Sequence, residues 1–118
     1  MKIINSLVIP TYAGSKPRWE VRVDLSGRRY IFIVAYNVRQ EAWVLTIKDI
    51  NGNSLIDGLI RLVPGVDDFL NQFRASSPGL PPGRLYLKDL EDRLDTAVVT
   101  RKNLSGRFAL TYTEVKEA

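Results

Sequence analysis

The stretch from Tyr30 to Gly65 constrains the fold more than any other part of the chain. Two apolar runs flank the polar corner Asn37-Val38-Arg39-Gln40-Glu41, and a second corner, Asp49-Ile50-Asn51-Gly52-Asn53, leads into a third run. Short apolar runs rich in β-branched and aromatic residues, bounded by turn formers, read as strands. The stretch predicts a three-stranded antiparallel meander. It carries no catalytic chemistry of its own.

The same reading extends in both directions. Residues 3–9 predict a first strand ending at Pro10, and residues 10–17 a loop of turn formers. Trp19, Val21, Val23 and Leu25 then alternate with Arg18, Glu20, Arg22 and Asp24, the period of a half-exposed strand. Ser26-Gly27 turns that strand into residues 29–36, predicting a hairpin. Its second strand is apolar on both faces, so it lies either between two layers or with its outer face against another protein. Trp43, Leu45 and Ile47 share one face of the next strand. The Asn51-Gly52 step offers the positive φ angles of a tight hairpin. A fourth strand is predicted over 54–63, where Ile56, Ile60 and Leu62 share a face with Gly58, marking a bulge or a close neighbour.

After Pro64-Gly65 the period changes. Val66, Phe69, Leu70 and Phe73 fall at i, i+3, i+4 and i+7, predicting a short helix over 66–74 that docks on the sheet. Asp67 and Asp68 in its first turn and Arg74 at its end suit the helix dipole. Residues 75–83 form a stiff loop with two Pro-Gly steps, and 84–89 a strand. Val98, Val99 and Thr100 suggest another short strand. Ser105-Gly106 leads to a closing strand with Phe108, Leu110 and Tyr112 inward, and a frayed tail from Glu114 to Ala118 is expected. The expected fold class is mainly β, an antiparallel small barrel or sandwich of about six to eight strands with one short helix near 66–74.

At 118 residues the chain fits a single domain with a core of its own. It contains no Cys and no His. Thiolate, Ser-His-Asp and Cys/His zinc chemistry are therefore excluded. Absence of cysteine suits a cytoplasmic origin. The N-terminus lacks the apolar length of a signal peptide, and no run reaches a membrane span. Asp67-Asp68 and Glu91-Asp92 are the carboxylate pairs close in sequence. Neighbours on a helix point apart, and a loop pair is ordinarily solvated, so neither predicts an acid/base dyad. Asp49-x-Asn51-x-Asn53 resembles the start of a calcium loop. It lacks the turn glycine, since position 54 is Ser, and the bidentate carboxylate, since position 60 is Ile. Pro82-Gly83-Arg84 lacks the other parts of a phosphate loop.

A net charge of +4 permits nucleic acid or an acidic partner, but the basic residues are scattered. Tyr12, Trp19, Tyr30, Phe32, Tyr36, Trp43, Tyr86 and Tyr112 stand among arginines. That pattern admits an oligonucleotide-binding-like barrel contacting single strands through Arg and Tyr. The competing reading is that these rings fill the core, with Trp19 and Trp43 buried and Tyr12 and Tyr86 exposed.

Several marks recur in one order. They are the apolar strand Tyr30 to Tyr36, then Asn37-x-Arg39, then Trp43 with Leu45-x-Ile47. Asp49-x-Asn51-Gly52 and Ile56-x-Gly58 follow, with Leu62-Val63-Pro64-Gly65 before Asp68, Leu70 and Phe73. Leu80-Pro81-Pro82-Gly83-Arg84-Leu85 and Leu104-Ser105-Gly106-Arg107-Phe108-x-Leu110-x-Tyr112 close the series. In this order and spacing, over roughly 17–113, the chain resembles the phage baseplate plug family, small proteins of cyanophage-type contractile tails. Residues 92–103 depart from the family pattern, being richer in Val and Arg. The resemblance implies a non-enzymatic virion protein of the tail baseplate, without cofactor or metal. It implies packing against hub, tail tube or spike, in several copies of a symmetric assembly, helping to close the channel before ejection. It carries no catalytic residue. The motif positions Asn37, Arg39, Trp43, Asp49, Gly52, Gly58, Pro81, Gly83 and Tyr112 are expected to be structural. Tyr12, Arg39 and Tyr86 are the candidate interface residues, and neither membrane nor nucleic acid is expected as a partner.

Overall fold

The computed structural model describes residues 2–9, 17–77, 79–90, 104 and 108–117. Its strands are β1 (Lys2–Val8), β2 (Arg18–Leu25), β3 (Arg28–Asn37), β4 (Ala42–Asp49), β5 (Ser54–Arg61), β6 (Arg84–Asp89) and β7 (Phe108–Glu117). They form two antiparallel sheets, one ordered β2-β3-β4-β5 and the other β1-β7-β6. No pairing among the described strands joins the two sheets, so the architecture is a sandwich and not a closed barrel. No helix among the described residues is long and apolar enough to cross a membrane.

Alternation fills the space between the sheets. Trp19, Tyr30, Phe32, Val34, Trp43, Leu45, Ile47, Ile56 and Ile60 face inward from the four-stranded sheet, and Leu85, Leu87, Phe108, Leu110 and Tyr112 from the three-stranded one. This is the interdigitated core of a sandwich. Trp43 is its largest fully buried side chain. Its ring lies 5.0 Å from Trp19 and 5.2 Å, edge-on, from Tyr36. Such aromatic pairs contribute about 0.5–1.5 kcal/mol beyond the area they bury.

β3 is buried on both faces, for two reasons. Tyr30, Phe32 and Val34 belong to the core cluster, while Ile31 and Ile33 are buried outside it. On that outer face Ile31 pairs with Arg22 and Lys48, and Ile33 with Glu20 and Thr46. Long polar side chains on neighbouring strands can cover apolar surface with their stems.

The turns follow their residues. Ser26 (φ 53°) and Gly27 (φ 82°) both take left-handed backbone, the two-residue hairpin turn whose twist matches the strands. The corner after β3 is held by Asn37, whose Oδ1 accepts the Gln40 N–H at 3.1 Å, and is completed by left-handed Glu41. The corner after β4 differs from expectation. Only Gly52 has positive φ there, at 86°, while Asn51 stays on the ordinary side. The turn is therefore the longer kind, ending in one left-handed glycine. Asp49 organises it, its Oδ1 accepting the Asn51 and Asn53 N–H groups at 3.0 and 2.9 Å.

Gly58 resolves to the bulge. The register shift between Leu45 and Ile47 puts residues 57–59 of β5 opposite Thr46 alone, and Gly58 takes φ 65°. It is exposed and does not share the buried face of Ile56 and Ile60.

Two expectations change in length. The helical segment at 66–74 contracts to one 3-10 turn, Asn71–Phe73. The Phe69 N–H donates to the Leu85 carbonyl at 2.7 Å and the Leu70 N–H to Asp68 Oδ1 at 3.0 Å. With those groups engaged elsewhere, no regular first turn forms. Phe69 and Leu70 are buried, and Val66 is exposed. The C-terminal segment expected to fray is strand up to Glu117, which pairs with Lys2 of β1. The expected strand at 98–100 lies outside the described residues.

Candidate functional site

The residues that the structure brings together lie where the two sheets meet. Gly83 precedes β6, Ser26 sits in the β2–β3 turn, and Tyr112 and Glu114 lie on β7. The Gly83 N–H donates to the Tyr112 hydroxyl at 2.7 Å. Tyr112 Oη lies 2.8 Å from Ser26 Oγ, and Ser26 Oγ donates to Glu114 Oε2. A serine hydroxyl has a single proton, so Tyr112 is the donor to Ser26. Donation thus runs one way, from Gly83 through Tyr112 and Ser26 to the Glu114 carboxylate. Such chains polarise their members and end well on a charged acceptor. This chain ties the turn of one sheet to the central strand of the other.

Gly83 is here because no side chain fits. A Cβ at that position would lie 2.5 Å from the Thr113 carbonyl oxygen and 2.5 Å from Tyr112 Cζ. The loop before it is clamped from outside. Arg74 donates to the Pro81 carbonyl at 2.7 Å and to the Gly83 carbonyl, and it pairs with Asp68 Oδ2 at 2.9 Å. The other Asp68 oxygen accepts the Leu70 and Leu85 N–H groups. Asp68 and Arg74, expected as helix-dipole charges, instead staple the segment around Asn71 to the proline-glycine loop and to β6. Farther along, Tyr30 Oη donates to the Gly79 carbonyl at 3.0 Å and Ser77 Oγ to the Leu55 carbonyl at 2.8 Å. Burial pushes the Tyr30 phenol above its ordinary pKa.

Of the expected motif residues, the structure unites Pro81, Gly83 and Tyr112. The others serve separate local tasks: Asn37 and Asp49 order corners, Gly52 and Gly58 supply positive φ, and Trp43 fills the core. Arg39 stands exposed at the β3–β4 corner. Tyr86 is half-buried, its hydroxyl 3.2 Å from Thr113 Oγ1, with the Arg84 guanidinium 5.8 Å from its ring centre. Tyr12 lies outside the described residues. Sequence reasoning missed Ser26 and Glu114 and misassigned Arg74. The only local signal for Ser26 was its place in the Ser-Gly turn. The stacking platform of the oligonucleotide-binding reading does not form from Trp19, Tyr30, Phe32, Trp43 and Tyr112, because all five are buried in the core.

The Asp49 carboxyl is held below its ordinary pKa, first by the Asn53 backbone N–H and then by the Asn53 side chain and the Asn51 and Gly52 N–H groups. Its ionised form therefore favours the folded state. That contribution is present above the ordinary carboxylate pKa of 3.8 and is lost as pH falls through the lower folded value. Asp49→Ala is expected to lower the melting temperature at neutral pH. The gap between variant and wild type should narrow in acid, and a gap constant down to strong acid would refute the assignment.

These polar groups are directed at the protein's own backbone and at one another, and the fold and seam define a β-sandwich domain. A sequence profile described as cyanophage baseplate Pam3 plug gp18 matches residues 7–115, both sheets included, and the chain belongs to that family. No curated protein matches it.

Proposed function

We propose that this protein is a non-enzymatic structural part of a phage tail baseplate. It sits in the virion tail as a plug, packs against the hub, tail tube or spike, and helps close the central channel before DNA is ejected. It is present in several copies set by the symmetry of the assembly. The family match over residues 7–115 carries this reading. The physical character of the domain supports it. A plug must hold its shape against neighbours; the Gly83–Tyr112–Ser26–Glu114 chain resists shear between the sheets, and the Asp68–Arg74 staple fixes the proline-glycine loop against β6.

The test is to purify tails from particles made with and without the gene. Wild-type tails should contain the protein at the baseplate in a stoichiometry fixed by symmetry. Particles lacking it should assemble poorly or show an open channel by electron microscopy and lose DNA early. Tails devoid of the protein, or closed tails formed without it, would overturn the proposal.

A further inference from the structure

Among the described strands β6 lies at a sheet edge, and its backbone shows where a partner fits. In the ladder, Leu87 pairs with Leu110 and Leu85 with Tyr112. The Leu110 carbonyl accepts the Ile9 N–H at 2.8 Å and so faces the β1 side of β7. Backbone direction alternates along an antiparallel pair, so the Leu87 N–H and C=O point away from β7, towards the open edge. Leu85 points the same way, and there the edge is already occupied. Its carbonyl takes the Phe69 N–H and its N–H donates to Asp68. Segment 68–69 thus behaves as the beginning of an added strand that stops one pair short. At Leu87 neither backbone group has a hydrogen-bond partner among the described residues.

A groove of about 340 Å³ lies at that position, between residues 65–67 and β6, with Leu87 in its lining. Arg84, Tyr86 and Lys88 line it and share the outer face of β6, with the aromatic ring between two exposed cations. Asp67 stands on the opposite wall, so two cations against one carboxylate leave the groove at +1. Among the described residues no carboxylate pairs with Arg84 or Lys88. An unpartnered strand edge flanked by unpaired cations is complementary to an extended acidic segment. A second copy of this edge fits poorly, because it would set Arg84 and Lys88 against their own like charges.

We propose that the β6 edge binds an extended acidic segment of a neighbouring protein as an added strand. Its backbone pairs with the Leu87 N–H and C=O, and its carboxylates lie against Arg84 and Lys88. This gives the partner chemistry for the assembly role and rests on that reading. Presence of the protein in purified tails is scored separately, so the two can fail independently.

The test uses the full chain and two short peptides, one alternating Glu and Val, the other alternating Lys and Val. Amide hydrogen exchange at Leu87 is followed by NMR. The acidic peptide should slow that exchange by at least about tenfold, and the basic one should not. In Arg84→Glu combined with Lys88→Glu the preference should reverse, with the melting temperature unchanged because both side chains are exposed. An acidic peptide methylated on its backbone nitrogens should lose the effect. Unchanged Leu87 exchange with the acidic peptide overturns the proposal. So does equal preference in wild type and variant, or full protection by the methylated peptide. Slowing that appears without peptide as protein concentration rises assigns the edge to a second copy and overturns it too.

Discussion

Trp43→Ala is expected to destabilise the domain by about 3–5 kcal/mol, the range for removing a fully buried large aromatic. Trp43 is fully buried and touches both Trp19 and Tyr36. It sits where β4 meets the core, and its carbonyl also accepts the Leu62 N–H. The loss therefore falls on packing, not on a surface. Domains of this size carry about 5–15 kcal/mol in total, so the variant should unfold at much lower denaturant concentration. Chemical denaturation followed by tryptophan fluorescence of Trp19 measures it. A variant with an unchanged midpoint that fails only in assembly would make Trp43 an interface anchor and refute its place in the core.

Gly83→Ala is the second large effect, and its cause is collision. The new methyl would meet a backbone carbonyl and the Tyr112 ring, both at 2.5 Å. Overpacking of this kind costs about 1–3 kcal/mol, and more where backbone must move. Shifting Gly83 also breaks its N–H bond to the Tyr112 hydroxyl, which orphans a buried donor at a further cost of about 1–3 kcal/mol. Tyr112→Phe removes the hydroxyl without a clash, so it should cost less than Gly83→Ala. Tyr112→Ala should not rescue Gly83→Ala, since the Thr113 carbonyl stays in the way. Thermal melts of the three single variants and the double variant decide this. A Gly83→Ala protein as stable as wild type would show that the seam is slack.

Local chemistry made much of the fold legible. The alternation of Trp19 to Leu25, the Ser26-Gly27 turn and the apolar run after it encode a hairpin without help from distant residues. The proline-glycine loop and the strand at 84–89 were visible for the same reason. The segment at 66–74 was misleading, because its apolar spacing fits a helix and equally fits two adjacent buried residues on a coil. What separated the two was where the Phe69 and Leu70 N–H groups went, and those partners lie on β6 and on the Asp68 side chain. The closing strand itself was legible from Phe108, Leu110 and Tyr112, but its extension over 114–117 was hidden because Glu117 is paired with Lys2, at the far end of the chain. The family resemblance named the motif residues as structural but did not say which of them meet.

Sequence alone therefore determined the class of this protein: antiparallel strands, an aromatic interior, and no cysteine or histidine chemistry. Periodicity and turn chemistry are local properties, read within a few residues. Tertiary structure alone decided that the strands split into two sheets, that Ser26 and Tyr112 share a proton donor chain across the seam, and that Arg74 clamps a loop and does not end a helix. Those outcomes depend on contacts between residues far apart in the chain, whose geometry exists only once the core has closed.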